Sequence, residues 1–398
     1  MCARTRSGAQ TRLVASDFVR RLVLLLSAVV AVDTMFYTAL APLLPHFATR
    51  YGLGKGGAGV LAAMYAAGVL GASVPGGMAA SRLGPKRAAL LGVALTAVAS
   101  LGFGLAGDKW TLGAARLAQG VGSAFSWAGA LAWLMVAAPP QRRGTVIGTT
   151  MGAAVFGALL GPVLGAIATV AGVRPTFVGV SVVGLALWAW VARSPGVPAQ
   201  PQRLSALRRA DLRLLGALWL LVLPAFLFGV LDVVAPLHLH ARGWGGVAIG
   251  GVFLAAAALE TALNPLLGRF TDRHGKTVPI RVALVGSIGV SLALAGASAP
   301  LLVAALLLAA SVVYGAFFTP GMALISDSAE RTGIARGLVF GAMNGAWALG
   351  NVVGPAAGGA LAQSAGDALS YVLLACICLA TLGVALAYSQ PRLRPSSS

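Results

Sequence analysis

Three carboxylates interrupt apolar stretches of this 398-residue chain: Asp33, Asp232 and Glu260. Ionisable groups inside membrane helices are costly and mark ion or substrate paths, so the chemistry they offer is reversible proton uptake or cation binding. At 1.5 Å per residue, Asp33 lies about 16 Å into its stretch, near the middle of a ~30 Å hydrocarbon core. An unpartnered carboxylate at that depth must take up a proton or find a cation. Glu260 falls roughly 20 Å from the outer end of its stretch, and Asp232 about 27 Å along its own. Arg116 begins another stretch about 7 Å below the outer surface, within about 6 Å of Asp33 in depth. Two readings follow for it: snorkelling outward, or pairing with Asp33 in a proton-responsive couple. Tyr37 stands one helical turn beyond Asp33 on nearly the same face. Met35, Phe36, Phe125, Trp127, Phe226, Phe228 and Tyr314 are further residues able to line a cavity. Asp327 closes its stretch as an interfacial cap or gate contact.

Other chemistries find no residues to carry them. There is no nucleotide-binding loop, no paired histidine–glutamate metal motif and no evident Ser–His arrangement, so the reading is not an enzyme. His238 and His240 are two apart and do not share a helical face. With His46 they read as solvated groups near the outer surface, His274 as solvated in an inner loop, and no metal site is expected. Cys376 and Cys378 stand two apart in an apolar run and read as packing. No cofactor is implied beyond a proton gradient as driving force.

The elements that must position these groups are transmembrane helices. Hydrophobic residues make up 58% of the chain and charged residues 10%, where a soluble chain carries about 25%. Apolar runs of about twenty residues predict twelve helices near 22–45, 58–80, 88–107, 111–137, 145–170, 176–192, 214–238, 247–268, 279–297, 301–327, 337–363 and 369–388. The net charge of +19 comes from 29 basic and 10 acidic residues. With the N-terminus inside, 23 of the basic residues fall in inner segments and five in outer loops. That is a strong positive-inside pattern. It places both termini in the cytoplasm and removes any need for a nucleic-acid partner. The expected layout is a cytoplasmic N-terminal tail (1–21), a six-helix bundle (22–192), a basic Pro- and Gln-rich cytoplasmic linker (193–213), a second six-helix bundle (214–388) and a cytoplasmic tail (389–398). The membrane expected is the plasma membrane, the inner one in a bacterium with two.

The chain repeats itself. Gly148, Gly152, Gly157, Gly161, Pro162 and Gly165 in the fifth stretch recur in the eleventh, 193 residues on, as Gly341, Gly345, Gly350, Gly354, Pro355 and Gly358. A second echo, offset by 191, aligns Gly77, Arg82 and Gly84 with Gly268, Arg273 and Gly275. Two similar halves around a central pathway are the layout of many secondary transporters. Small residues four apart let another helix backbone approach closely, and proline in the row permits a bend. The rows therefore read as tight packing, or as a bending point and seam between the bundles.

On these residues the chain resembles the major facilitator superfamily across essentially all of 22–388. The family's loop signature between its second and third helices is matched by Gly77, Arg82, Gly84, Lys86 and Arg87, with Ser81 where the family has an acid. The second-half copy keeps the acid: Gly268, Asp272, Arg273, Gly275 and Lys276. The resemblance implies that this acid helps to lock a cytoplasmic gate, a lock that Ser81 lacks. Arg116, Gln119 and Gly120 resemble the family's fourth-helix signature, which implies a part for Arg116 in proton exchange. The glycine–proline row is similar to that of drug:proton antiporters, and AVDTMFYTALAPLLP (31–45) with GPAAGGALA (354–362) looks like the vesicular amine and multidrug exporter branch.

The resulting expectation is a secondary transporter that works as a monomer among membrane lipids. It exchanges protons for a small amphipathic or cationic compound by alternating access, in the efflux direction, with proton and substrate competing for a midplane carboxylate. The alternatives are a proton symporter or facilitator for metabolite uptake and, less favoured, a membrane sensor that has lost transport.

Overall fold

In hydrocarbon a backbone must satisfy its own N–H and C=O groups, and helices do so within one segment. The computed structural model describes residues 2–199, 212–332 and 336–387, and among these there is no strand. The first half comprises α1 (Cys2–Thr38), α2 (Leu40–Tyr51), α3 (Lys55–Arg82), α4 (Pro85–Leu105), α5 (Lys109–Ala137), α6 (Arg143–Ala171) and α7 (Val173–Arg193). The second comprises α8 (Leu212–Ala241), α9 (Gly246–His274), α10 (Thr277–Gly296), α11 (Pro300–Gly315), α12 (Phe318–Thr332), α13 (Arg336–Ala365) and α14 (Asp367–Ala387). These helices cover all twelve expected stretches. Among the described residues ten spans are long and apolar enough to cross a bilayer, and the bent pair α1–α2 makes an eleventh. The remaining stretch is α13, whose glycine row dilutes its hydropathy.

Two stretches are broken rather than straight, for the same reason. Proline lacks an N–H and its ring clashes with the carbonyl four residues back. Pro42 stands four residues after Thr38, where α1 ends and the chain bends by 41° into α2. Pro320 stands four after Ala316, in the gap between α11 and α12. Helix α1 also begins earlier than the expected 22, because no proline interrupts residues 2–41. Of the expected linker, residues 200–211 lie outside the described residues, as does the tail from 388 onward.

The repeat read from the sequence is the contact pattern of the fold. The first glycine row seats α6 on α1: a Cβ on Gly157 would stand 2.0 Å from the Ala31 carbonyl oxygen, and one on Gly165 2.4 Å from that of Ala39. The second row seats α13 on α8, with Gly350 against Val222 and Gly354 against Phe226 at 2.4 and 2.5 Å. The glycine strips thus pack helices within each half rather than forming the seam between halves. The prolines of the same rows serve the seam. The Pro355 carbonyl oxygen lies 2.2 Å from a Cβ built on Gly59 of α3, and the Pro162 carbonyl oxygen 2.9 Å from one built on Gly250 of α9. Gly59 and Gly250 are 191 apart, so the two crossings are symmetry mates.

Only one end of the molecule is closed by these crossings. Toward the face opposite the basic one, Leu40, Leu43, Leu44, Phe47 and Val233 form an apolar plug from both halves. There Lys55 of α3 pairs with Asp367 at the start of α14, Gly56 N donates to Gln363 Oε1 at 2.8 Å, and His238 Nδ1 lies 3.2 Å from the other Asp367 oxygen. His238 is therefore half-buried and bonded, not a solvated interface group, because α8 carries it against the start of α14. Toward the basic face the inner parts of both rows, Gly148, Gly152, Gly341 and Gly345, touch no other segment within 4 Å of where a Cβ would sit.

Candidate functional site

A cavity of about 1020 Å³ lies between the halves, lined from Asp33 and Asp232 at its deep end to Ser81, Met135, Arg143, Met322 and Gly341 near the basic face. All three expected carboxylates, Asp33, Asp232 and Glu260, line it together with Arg116 and Tyr37. Aromatic walls come from Tyr65, Trp127, Phe228, Phe253 and Trp347.

Asp33 is buried and held by donors on two helices. Its Oδ2 accepts from Ser123 Oγ at 2.6 Å, Trp127 Nε1 at 2.7 Å and Tyr65 Oη at 3.1 Å. Its Oδ1 is buried without a hydrogen-bond partner. A hydrogen bond to a charged group contributes about 1.5–3 kcal/mol, and desolvating a carboxylate costs several kcal/mol. Three such bonds offset part of that penalty. α5 supplies this cage because Arg116, Ser123 and Trp127 repeat at spacings of seven and four, on one helical face. The start of α5 is fixed by Asp108, whose carboxylate accepts from the backbone N–H of Trp110 and Thr111 at 2.8 and 3.0 Å. The Thr111 and Trp110 amides hold that carboxyl below its usual range.

Arg116 is only 2% exposed and points into the bundle, which removes the snorkelling reading. Its guanidinium donates to the carbonyls of Phe36 at 3.0 Å and Tyr37 at 3.3 Å, just before the break after α1, and to Gln119 Oε1 at 3.1 Å. Gln119 in turn donates to Ser100 Oγ at 3.1 Å. Arg116 and Asp33 make no direct ion pair; Tyr65 stands between them, its hydroxyl on Asp33 and its ring 5.0 Å from the guanidinium carbon. The depth estimate brought both groups to one level but held no information on what lies between them.

Tyr37 reaches across the seam. Its hydroxyl donates to Asn351 Oδ1 on α13 at 2.6 Å, and its ring packs on Tyr65 and on Trp347 with centroids 5.3 and 5.0 Å away. Asp232 and Glu260 contrast with Asp33: neither has a hydrogen-bond donor among the described residues, though both line the cavity. Phe228 lies one turn from Asp232 on α8, and Asn264 one turn from Glu260 on α9, on the same lining faces. Glu260 also presses on the gap left by Gly315 of α11.

The loop signatures are disengaged at the open face. Gly84 and Gly275, at the turns into α4 and α10, have φ of +98° and +74°, which only glycine adopts freely. Ser81 bonds the Met78 carbonyl of its own helix at 3.0 Å. Arg82, Arg87, Asp272 and Arg273 are exposed. Lys86 reaches the Ala192 carbonyl at 2.7 Å, and Lys276 pairs with Asp327. Gly77 and Gly268 border open space.

The profile of the Major Facilitator Superfamily matches residues 26–338. The chain belongs to that superfamily. Its family and fold are those of a multi-pass membrane transporter. It is similar to two zebrafish (Danio rerio) proteins named "Probable vesicular acetylcholine transporter": form B at 29% identity over 155 residues and form A at 34% over 136. The matches span 34% and 33% of this chain, and only 27% and 26% of those relatives. Among solved structures it resembles, at TM-score 0.74 and 15% identity, an inward-facing bacterial homolog of the human lysosomal transporter Spinster, covering 93% of this chain and 96% of that one. It also resembles the nucleoside transporter NupG at TM-score 0.72 and 13% identity, covering 93% and 100%. Those identities speak for the fold alone.

Of the aromatic candidates, Tyr37, Trp127 and Phe228 line the cavity of this superfamily member, whereas Tyr314 is buried against Ser291. Sequence reading missed Tyr65, Ser123, Asn351 and Trp347. The face of Arg116 pointed to Ser123, and the run 65, 69, 73 put Tyr65 with Ser73 on one side of α3. Nothing local marked Asn351, whose partner is 314 residues away.

Proposed function

We propose that this protein is a proton-coupled antiporter that exports a small cationic or amphipathic compound by alternating access. One observation carries the reading: three carboxyls and a single deep arginine line one aromatic-walled cavity, open toward the basic face. Aromatic faces and carboxylates are what a desolvated organic cation requires. The positive-inside pattern makes the basic face cytoplasmic, so this conformation would load from the cytoplasm. The likeness to proteins named for acetylcholine, a quaternary ammonium, supports the same substrate class. The monomer with its lipid surroundings suffices as the transporting unit.

Purified protein in liposomes with an imposed pH gradient tests this against tetraphenylphosphonium, a neutral aromatic and an aromatic carboxylate. The expected result is proton movement and accumulation with the cation only, in opposite directions. Proton and compound moving together, or movement of the anion alone, would overturn it.

A further inference from the structure

We infer that Asp33 carries its proton on Oδ1, hydrogen-bonded to a single buried water that Thr96 holds outside the substrate cavity. The two oxygens of this carboxyl are bonded differently. Oδ2 accepts from Ser123, Trp127 and Tyr65. An indole N–H donates only, so a proton placed on Oδ2 would confront Trp127. Oδ1 has no partner, and it is 96% buried with its side chain, Asp33 being 4% exposed.

A second cavity of about 20 Å³ borders Asp33, between α1, α4, α5 and α7, lined by Val29, Val93, Thr96, Ser126 and Gly184 among others. Asp33 is the residue that the two cavities share. Thr96 is 6% exposed, and its Oγ1 is also buried without a partner. Two residues that each carry an orphaned oxygen thus line a space of one water's size. An ordered water needs such room and at least two polar partners. Unsatisfied polar groups of this kind are costly, and here one water would satisfy both.

The proton is then carried on the edge of the carboxyl that the three donors on Oδ2 leave free. Protonation at Oδ1 removes charge from Oδ2 and weakens its bonds to α3 and α5, whose residues line the substrate cavity. The ionisable groups facing Asp33 are Tyr65 from α3 and Arg116 from α5. Tyr37 on α1 itself, Asp232 on α8 and Glu260 on α9 face it across the main cavity, and Arg143 of α6 stands at the mouth. α4 and α7 bring none. Thr96 is a positioning residue in this scheme.

The inference rests on Asp33 as proton carrier, and its test uses no transported compound. Infrared difference spectra of the purified full chain are recorded against pH, with Asp33→Asn identifying the carboxyl band. Thr96→Val is expected to move the C=O band of protonated Asp33 to higher wavenumber and to change its proton affinity about tenfold, and Thr96→Ser to restore both. In wild type, exchange into heavy-oxygen water is expected to shift a water O–H band that titrates with Asp33, a reading that needs no variant. No titrating water band, or a band unmoved by Thr96→Val, overturns the inference. Normal titration without pH-driven transport would instead sink the antiport reading and leave this one standing.

Discussion

The two halves of the transporter treat their acids differently. In the first half Asp33 is wrapped by three donors from α3 and α5 and backed by Arg116 through Tyr65. In the second half Asp232 and Glu260 stand in the cavity wall, near Phe228 and Asn264, with no hydrogen-bond donor among the described residues. A carboxylate already provided with hydrogen bonds can change its proton without rearranging a ligand. One without them gains most from a cation that arrives. Under the proposed antiport the contrast divides the work, with proton handling in the first half and substrate charge in the second.

Four substitutions would break or sharpen that division. Asp33→Asn is expected to abolish pH-driven flux in liposomes to background while binding of tetraphenylphosphonium persists; loss of binding with flux retained would reverse the assignment. Asp232→Asn and Glu260→Gln are each expected to weaken binding of the same cation by about tenfold or more, since truncating one side of a buried charge contact costs 2–5 kcal/mol. Equilibrium binding checks this, and the pH profile of Asp33 should not move. Tyr65→Phe removes the longest of the three bonds to the carboxylate, about 1.5 kcal/mol. A shift of the Asp33 pH profile by about tenfold is expected, with cation affinity kept within a factor of a few.

Much of the scaffold was legible before any coordinates. Twelve apolar stretches, two halves and the offsets 191 and 193 all reappear, because a lipid-embedded helix must be apolar and a duplicated fold repeats its close contacts. The breaks at Pro42 and Pro320 were legible in principle from proline chemistry but fell inside stretches read as continuous. The glycine rows were seen, yet their partners were not: spacing reveals a flat strip and leaves open which backbone lies on it. The Asp33–Arg116 pair, expected from a shared depth, proved indirect, because depth is one coordinate and the intervening Tyr65 comes from a third helix.

By itself the sequence determined what the chain must do with its solvent: span the membrane twelve times, repeat its packing, and strand three acids in hydrocarbon. Hydropathy, helical rise and internal repetition are properties of the chain read along its length. Only the tertiary structure decided which face is open, that the proline carbonyls rather than the glycine strips meet across the halves, and that Asp33 is caged while Asp232 and Glu260 are bare. Those outcomes depend on distances between residues as far apart as Tyr37 and Asn351, set by how whole helices cross, and no local pattern encodes them.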